Sequence, residues 1–245
     1  MPPLPTDQSE QSDRPAPSAG RTARALARAE LTRAILDSAR HQLAEVGPAG
    51  LSLRAVARDL DMASSAVYRY FANRDTLLTA LLVRTYDDLG AAAEEADAGP
   101  GVDPGTRLVA VGRAFRAWAR AHPHEYALLY GSPVPGYVAP ADTVAPATRI
   151  TRVLLDIAAS VPGAADRPAD PAAHLDAVTA AAIAPVATLT DRPLAPESVA
   201  RSLHAWATLV GAVSLELFGH LHRAVLDHDA HFEHVLRQVV TDLGA

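Results

Sequence analysis

The sequence predicts an all-α protein: an N-terminal three-helix helix-turn-helix domain followed by a C-terminal helical bundle. Three observations carry this. Of 245 residues, 52 are alanine, the residue that loses least side-chain freedom in a helix. Apolar residues recur three and four apart almost throughout from about residue 23. Strand-like alternation is absent, and with aromatics at only 5% the core must be mainly aliphatic.

The elements follow in order. Residues 1–22 read as a disordered tail, with five prolines among the first twenty residues and little that can be buried. The helix-turn-helix domain spans 23–75. Leu31, Ile35, Ala39, Leu43 and Val46 repeat at helical spacing, and Gly47-Pro48 stops that helix. Ser52 caps a second helix over 53–60, whose Leu53, Val56, Ala57 and Leu60 share one face. Asp61 suits the left-handed turn that follows, and a third helix runs over 63–71. The next helix starts near Asn73 and continues over 75–97, with Leu77, Leu78, Leu81, Leu82 and Leu89 inward and a hinge expected within it. Gly-Pro-Gly-Val-Asp-Pro-Gly at 99–105 breaks the pattern. Further helices are expected over 105–121, 123–130, 142–161, 171–189, 195–224 and 229–243, making 76–245 a helical ligand-binding and dimerisation domain.

Composition removes whole classes of chemistry. There is no cysteine, so no disulfide, thiolate zinc site or thiol nucleophile. All 22 basic residues are arginine, which excludes lysine Schiff bases and P-loop phosphate capture. No G-x-S-x-G, H-E-x-x-H or G-x-G-x-x-G occurs, so no catalytic residue and no cofactor is expected. The apolar runs near 180–189 and 205–218 are too short and too broken to span a bilayer, and no secretory h-region appears, so a soluble, cytoplasmic protein is expected. The net charge of −6 hides an asymmetry. Residues 14–75 carry ten arginines against six acids, whereas 76–245 carry twelve against nineteen. A basic segment before an acidic body suits two parts with two partners.

The helix over 63–71 has two faces. Ala63, Val67 and Tyr70/Phe71 lie on one, Ser64, Ser65, Tyr68 and Arg69 on the other. Small hydroxyls, one tyrosine and one arginine on a short exposed helix suit the major groove of DNA, where arginine reads guanine. Arg21, Arg24 and Arg28 are expected to serve as a flexible arm along phosphates or the minor groove. Ser52, Arg54 and Arg74 complete the candidate DNA-binding set.

The run Thr32–Ala39, then Gly47, then Leu51–Ala57, then Met62–Leu78 resembles the DNA-binding domain of the TetR/AcrR family over about 50 residues. That resemblance implies that 63–71 is the recognition helix, and that Tyr68, Tyr70 and Ser52 contact phosphates. Asp61, Ala63 and Arg74 stand where the family usually has glycine, serine and lysine. The segment Trp206–Leu217 is similar to the WHG type of TetR C-terminal domain, with Val210 in place of the histidine.

The same segment has two stripes. Val199, Leu203, Trp206, Val210, Val213 and Leu217 form a coiled-coil-like seam, and Ser198, Ala205, Ala212 and Gly219 recur every seven. Either both pack inside one protomer, or one faces a partner. A homodimer is favoured, with 171–189 and 195–224 at the interface, because a palindromic site rewards pairing. The resemblance implies a ligand pocket in the bundle, for which Phe115, Trp118, His122, Tyr126, Tyr130, Trp206 and Phe218 are the candidates. Each such side chain singly is more often plain core; as a set they suggest a largely apolar small-molecule effector. His228, His231 and His234 read as a polar face rather than a metal site. The expected function is a homodimeric repressor of a double-stranded DNA operator, released by a small molecule. The alternative is a helical small-molecule-binding protein or enzyme whose N-terminal domain no longer binds DNA.

Overall fold

The computed structural model describes residues 19–166, 168 and 174–245, with side chains from residue 23. The expected tail thus lies outside the described residues except for 19–22, which begin the first helix. Eleven α-helices are described: α1 Ala19–Gly50, α2 Leu53–Asp59, α3 Ser64–Tyr68, α4 Arg74–Ala96, α5 Pro104–Ala121, α6 Pro123–Tyr130, α7 Val144–Ala147, α8 Arg149–Ala158, α9 Ala177–Ala187, α10 Pro196–Leu217 and α11 His228–Leu243. No strand occurs among the described residues.

Local chemistry sets the early boundaries. Gly47 takes φ 68°, a conformation open to glycine, and breaks the regular run of α1 just before Pro48. Asp61 adopts φ 51° in the turn between α2 and α3. Asn73 and Thr76 form a reciprocal capping box at the start of α4, with Asn73 side-chain Oδ1 accepting from the Thr76 amide at 2.9 Å. Such a cap contributes about 1 kcal/mol.

Four predicted helices come out differently. The 63–71 helix shortens to α3, with turns on either side and no side-chain cap at Ala63. The 142–161 helix becomes a 3₁₀ turn over Ala141–Thr143, then α7 and α8. Pro146 lacks an N–H and crowds the preceding turn, so one long helix is not sustained there. The 171–189 helix begins at Ala177, because the Asp176 carboxylate accepts from the amides of Val178 and Thr179; residues 171–173 lie outside the described ones. The 195–224 helix ends at Leu217, and Gly219 follows at φ 77°.

Two apolar cores result. The N-terminal one joins Ile35, Ala39 and Leu43 of α1, Val56 and Ala57 of α2, Val67 of α3, and Leu77, Leu78, Leu81 and Leu82 of α4. The C-terminal one joins Leu89 and Ala93 of α4 to α5, α6, α8, α10 and α11. α4 therefore runs unbroken from one core into the other. At Gly112 a Cβ would lie 2.4 Å from Leu236 Cδ2, so any larger residue there displaces the Leu236 side chain between α5 and α11.

Candidate nucleic-acid interface

α2 and α3 bury one face and expose the other. Val56, Ala57 and Val67 are buried, while Arg54, Ser64, Ser65, Tyr68 and Arg69 are exposed. The turn is closed by the Met62 amide donating to the Ala57 carbonyl at 2.8 Å. The short α3 thus presents two hydroxyls, a phenol and a guanidinium on one open surface.

The remaining candidates are placed unevenly. Ser52 occupies the N-cap position of α2 but makes no side-chain cap bond. The Tyr70 ring is half-buried beneath Arg28, whose guanidinium lies 4.9 Å from the ring centroid. Arg74 also has a partner within the protomer. Its Nη2 donates to the Pro48 carbonyl at 2.5 Å, which ties the start of α4 to the end of α1. Arg24 is exposed on a helix, not on a flexible arm. Arg21 belongs to the same helix, with its side chain outside the described residues.

Arg107, Arg113, Arg116, Arg120 and Arg149 in the body all pair with carboxylates. Among the described residues, Arg24, Arg33, Arg54, Arg58 and Arg69 near the helix-turn-helix have no acidic partner. Those five guanidinium groups are therefore available to an outside anion, as are Arg152, Arg192, Arg223 and Arg237 of the body, which are exposed and carry no salt bridge among the described residues.

The aromatic candidates gather between α5, α6 and α10. Phe115 meets Trp206 edge-on at 5.0 Å, Tyr126 and Tyr130 lie 5.1 Å apart, and Phe218 reaches Tyr126 at 6.0 Å. The Tyr126 hydroxyl shares a hydrogen bond with Ser214 Oγ at 2.7 Å. Trp118 and His122 stack apart from these, 5.1 Å from each other. The rings pack on one another, with Phe115 and Tyr126 innermost and Phe218 at the exposed edge. Phe115 and Tyr126 are fully buried. Burial raises the Tyr126 hydroxyl pKa, and raises that of Tyr130 further, so the cluster is neutral near pH 7.

The small-residue stripe is also corrected. Ser198 and Ala205 are buried within the protomer, the Ser198 hydroxyl donating to the Ala164 carbonyl, and Gly219 lies beyond the end of α10. Ala212 is half-buried, so the seven-residue spacing joins residues of unlike burial and does not say which side faces inward. Exposed apolar side chains include Val178 of α9, a helix with no fully buried residue, and Leu215 and Phe218 of α10 and its cap, besides Val138 and Leu226 in loops. No group of three or more His, Asp or Glu suited to a metal occurs among the described residues.

Several polar groups escaped sequence reasoning. Arg40 of α1 pairs with Glu125 of α6. Arg116 holds Glu216 through two bonds of 2.8 and 2.9 Å, and Arg107 holds Asp97 through two of 2.6 and 2.7 Å. Tyr137, in the loop after α6, bonds Thr79 of α4 at 2.9 Å. Only the placement of Glu216 in an apolar run hinted at any of these.

An exposed helix-turn-helix with unpaired arginines, set on a separate helical bundle, defines a helix-turn-helix regulator of transcription. Comparison with known proteins makes this specific. Residues 35–81 match the profile "Bacterial regulatory proteins, tetR family", and residues 108–239 match "Tetracyclin repressor-like, C-terminal domain". The chain belongs to the tetR family, a family of transcriptional regulators and not of enzymes. It is 42% identical over 196 residues to the HTH-type transcriptional regulator Rv1816 of Mycobacterium tuberculosis, covering 79% of this chain and 83% of that one. The HTH-type transcriptional regulator Mb1846 of Mycobacterium bovis matches to the same extent, 42% over 196 residues. The crystal structure of SCO4313 superposes with a TM-score of 0.71 at 34% identity, over 86% of this chain and 96% of that one. A Rhodococcus sp. RHA1 protein of unknown function shares the fold, with a TM-score of 0.64 at 22% identity over 95% and 98% of the two chains. No described helix is long and apolar enough to cross a membrane.

Proposed function

We propose that the chain is a homodimeric repressor that binds a palindromic operator through α3 and is released by an uncharged, largely apolar small molecule. The observation that carries this is the open face of α3: Ser64, Ser65, Tyr68 and Arg69 are exposed beside arginines without acidic partners. Acting on chromosomal DNA, the protein works in the cytoplasm. Dimerisation through α9 and the outer side of α10 covers the apolar surface of those helices. It also sets two recognition helices about 34–36 Å apart, one turn of DNA.

α6 supports the link between effector and DNA. Tyr126 and Tyr130 belong to the aromatic cluster, whereas Leu128 lies in the N-terminal core and Glu125 pairs with Arg40 of α1. A ligand that parts the rings shifts one short helix that touches both cores. The two α3 helices then lose the spacing that lets both grooves be filled, and affinity falls by population shift.

The test is a selection of genomic fragments by the full-length protein, followed by titration across a salt series. A nanomolar complex with a steep negative salt slope supports the reading. Failure to retain any fragment overturns it and favours a small-molecule-binding protein that has lost DNA recognition.

A further inference from the structure

α2 is too short to orient itself by burial alone. It has seven residues, of which Leu53, Val56 and Ala57 are buried. Three apolar side chains in a line fix how closely the helix sits. They fix its rotation and tilt only weakly, because apolar contact is non-directional. Yet α2 carries α3 with it, through the Met62 amide on the Ala57 carbonyl.

The further constraint is polar and comes from α1. Among the described residues of the helix-turn-helix domain, Ser38 and Gln42 are the buried polar side chains. They lie one turn apart, on the face of α1 that also carries Ile35 and Ala39 into the core. Ser38 Oγ donates to Asp59 Oδ2 at 2.9 Å, at the last residue of α2. Gln42 Oε1 accepts from the Ser52 amide at 3.3 Å, at the N-cap of the same helix. One turn of α1 thus holds both ends of α2. Stability alone does not account for this choice. Gln42 Nε2 is buried and has no hydrogen-bond partner among the described residues. An unpaired buried donor is destabilising, and a methionine would fill the same space without it.

We infer that Ser38 and Gln42 are positioning residues for sequence recognition: a two-point polar clamp that sets the rotation of α2 on α1, and with it the approach of α3 to the bases. The inference rests on the DNA-binding reading above. Both side chains are buried, so they act through α2 and not by touching DNA. Hydrogen bonds are directional, and two of them at opposite ends oppose a rotation that the apolar face permits. Groups that read a base must be held to within about 10–20° of their working geometry. Attraction between arginines and phosphates is far less demanding, because it is electrostatic and independent of sequence. Loss of the clamp should therefore reduce discrimination between sites and leave the general attraction to DNA in place.

The experiment uses full-length protein, the duplex that the wild type selects from random DNA, and a scrambled duplex of equal length. Ser38→Ala/Gln42→Met removes both hydrogen bonds and nearly keeps the volume. It is expected to lower the ratio of selected to scrambled affinity by about tenfold or more, the worth of one base contact. The salt slope should stay at its wild-type value, because no phosphate contact is removed. The Ser52 amide should exchange with deuterium faster in Gln42→Met than in wild type. Ser38→Thr keeps the donor and Gln42→Glu keeps the acceptor, so each should keep the ratio that Ser38→Ala or Gln42→Met loses. Ser38→Ala alone is the milder form if the double variant fails to fold, because its partner Asp59 is exposed and can be solvated. Residues that only support folding would lower both affinities by one factor. An unchanged ratio therefore overturns the inference, and so does equal loss in the variants that keep donor and acceptor. If the wild type selects no site, the DNA-binding reading fails first and the inference with it.

Discussion

The guanidinium of Arg40 on α1 donates to the carboxylate of Glu125 on α6, joining the N-terminal core to the C-terminal one. Glu125 is 8% exposed, so removing its partner leaves a carboxylate that water cannot fully solvate. Arg40→Ala is expected to cost about 2–3 kcal/mol, less than the loss of a fully buried pair because Arg40 keeps some solvent access. Glu125→Gln retains an acceptor and should cost less than half as much. Urea midpoints measure both. If the Arg40→Ala midpoint does not move, water replaces the pair and α6 is not held to α1 by charge.

A second pair makes stability depend on pH. The side chain of Arg107 is 2% exposed and grips both oxygens of Asp97, which also accepts from the Gly99 amide. The hydrogen bond from Arg107 holds the Asp97 carboxyl below its usual range. As pH falls, the unfolded chain takes up this proton before the folded one. The stabilisation is therefore complete above the ordinary aspartate value of about 3.9 and is lost as pH falls through the lower folded value. At pH 7, Asp97→Asn should cost about 3 kcal/mol. The difference in Tm between wild type and variant should narrow below about pH 4. A gap of constant size at low pH would assign the loss to shape, not charge.

These pairs show why part of the molecule was illegible in the sequence. Features fixed by neighbouring residues could be read. The turn at Asp61, the stop at Gly47 and the start at Asn73 all follow from local backbone chemistry. Features fixed across the chain could not. Arg116 and Glu216 are 100 residues apart, and no spacing joins them. Ser198 and Ala205 are both buried, but periodicity does not say which stripe faces the protomer's own core. The aromatic residues were likewise known to be few and large. Whether they line a space or fill it depends on how α5, α6 and α10 approach one another.

The recognition face makes its own prediction. Tyr68 and Arg69 are both exposed at the end of α3, but their chemistry differs. A phenol that touches phosphate contributes equally on any sequence, whereas an arginine that reaches a guanine edge discriminates by about 1–3 kcal/mol. Tyr68→Ala should weaken the selected site and scrambled DNA alike. Arg69→Ala should weaken the selected site by about tenfold to a hundredfold and relax the preference at one base pair in a repeated selection. Unchanged affinity in both variants would place the recognition face elsewhere on α3.

The dimer can be tested on α9, because no residue of that helix is fully buried in the protomer. Val178 is 80% exposed, so an aspartate there does not disturb the isolated chain. At the first turn it would even favour the helix dipole. In a twofold dimer the same substitution enters the interface twice. At about 2 kcal/mol for each carboxylate taken from water, Val178→Asp should weaken dimerisation by about 1,000-fold. Sedimentation at micromolar concentration should then show a monomer with its helical content intact. Binding to the full palindrome should fall while binding to a half-site does not. Wild-type protein that sediments as a monomer, or a Val178→Asp variant that dimerises as tightly as wild type, would remove α9 from the interface.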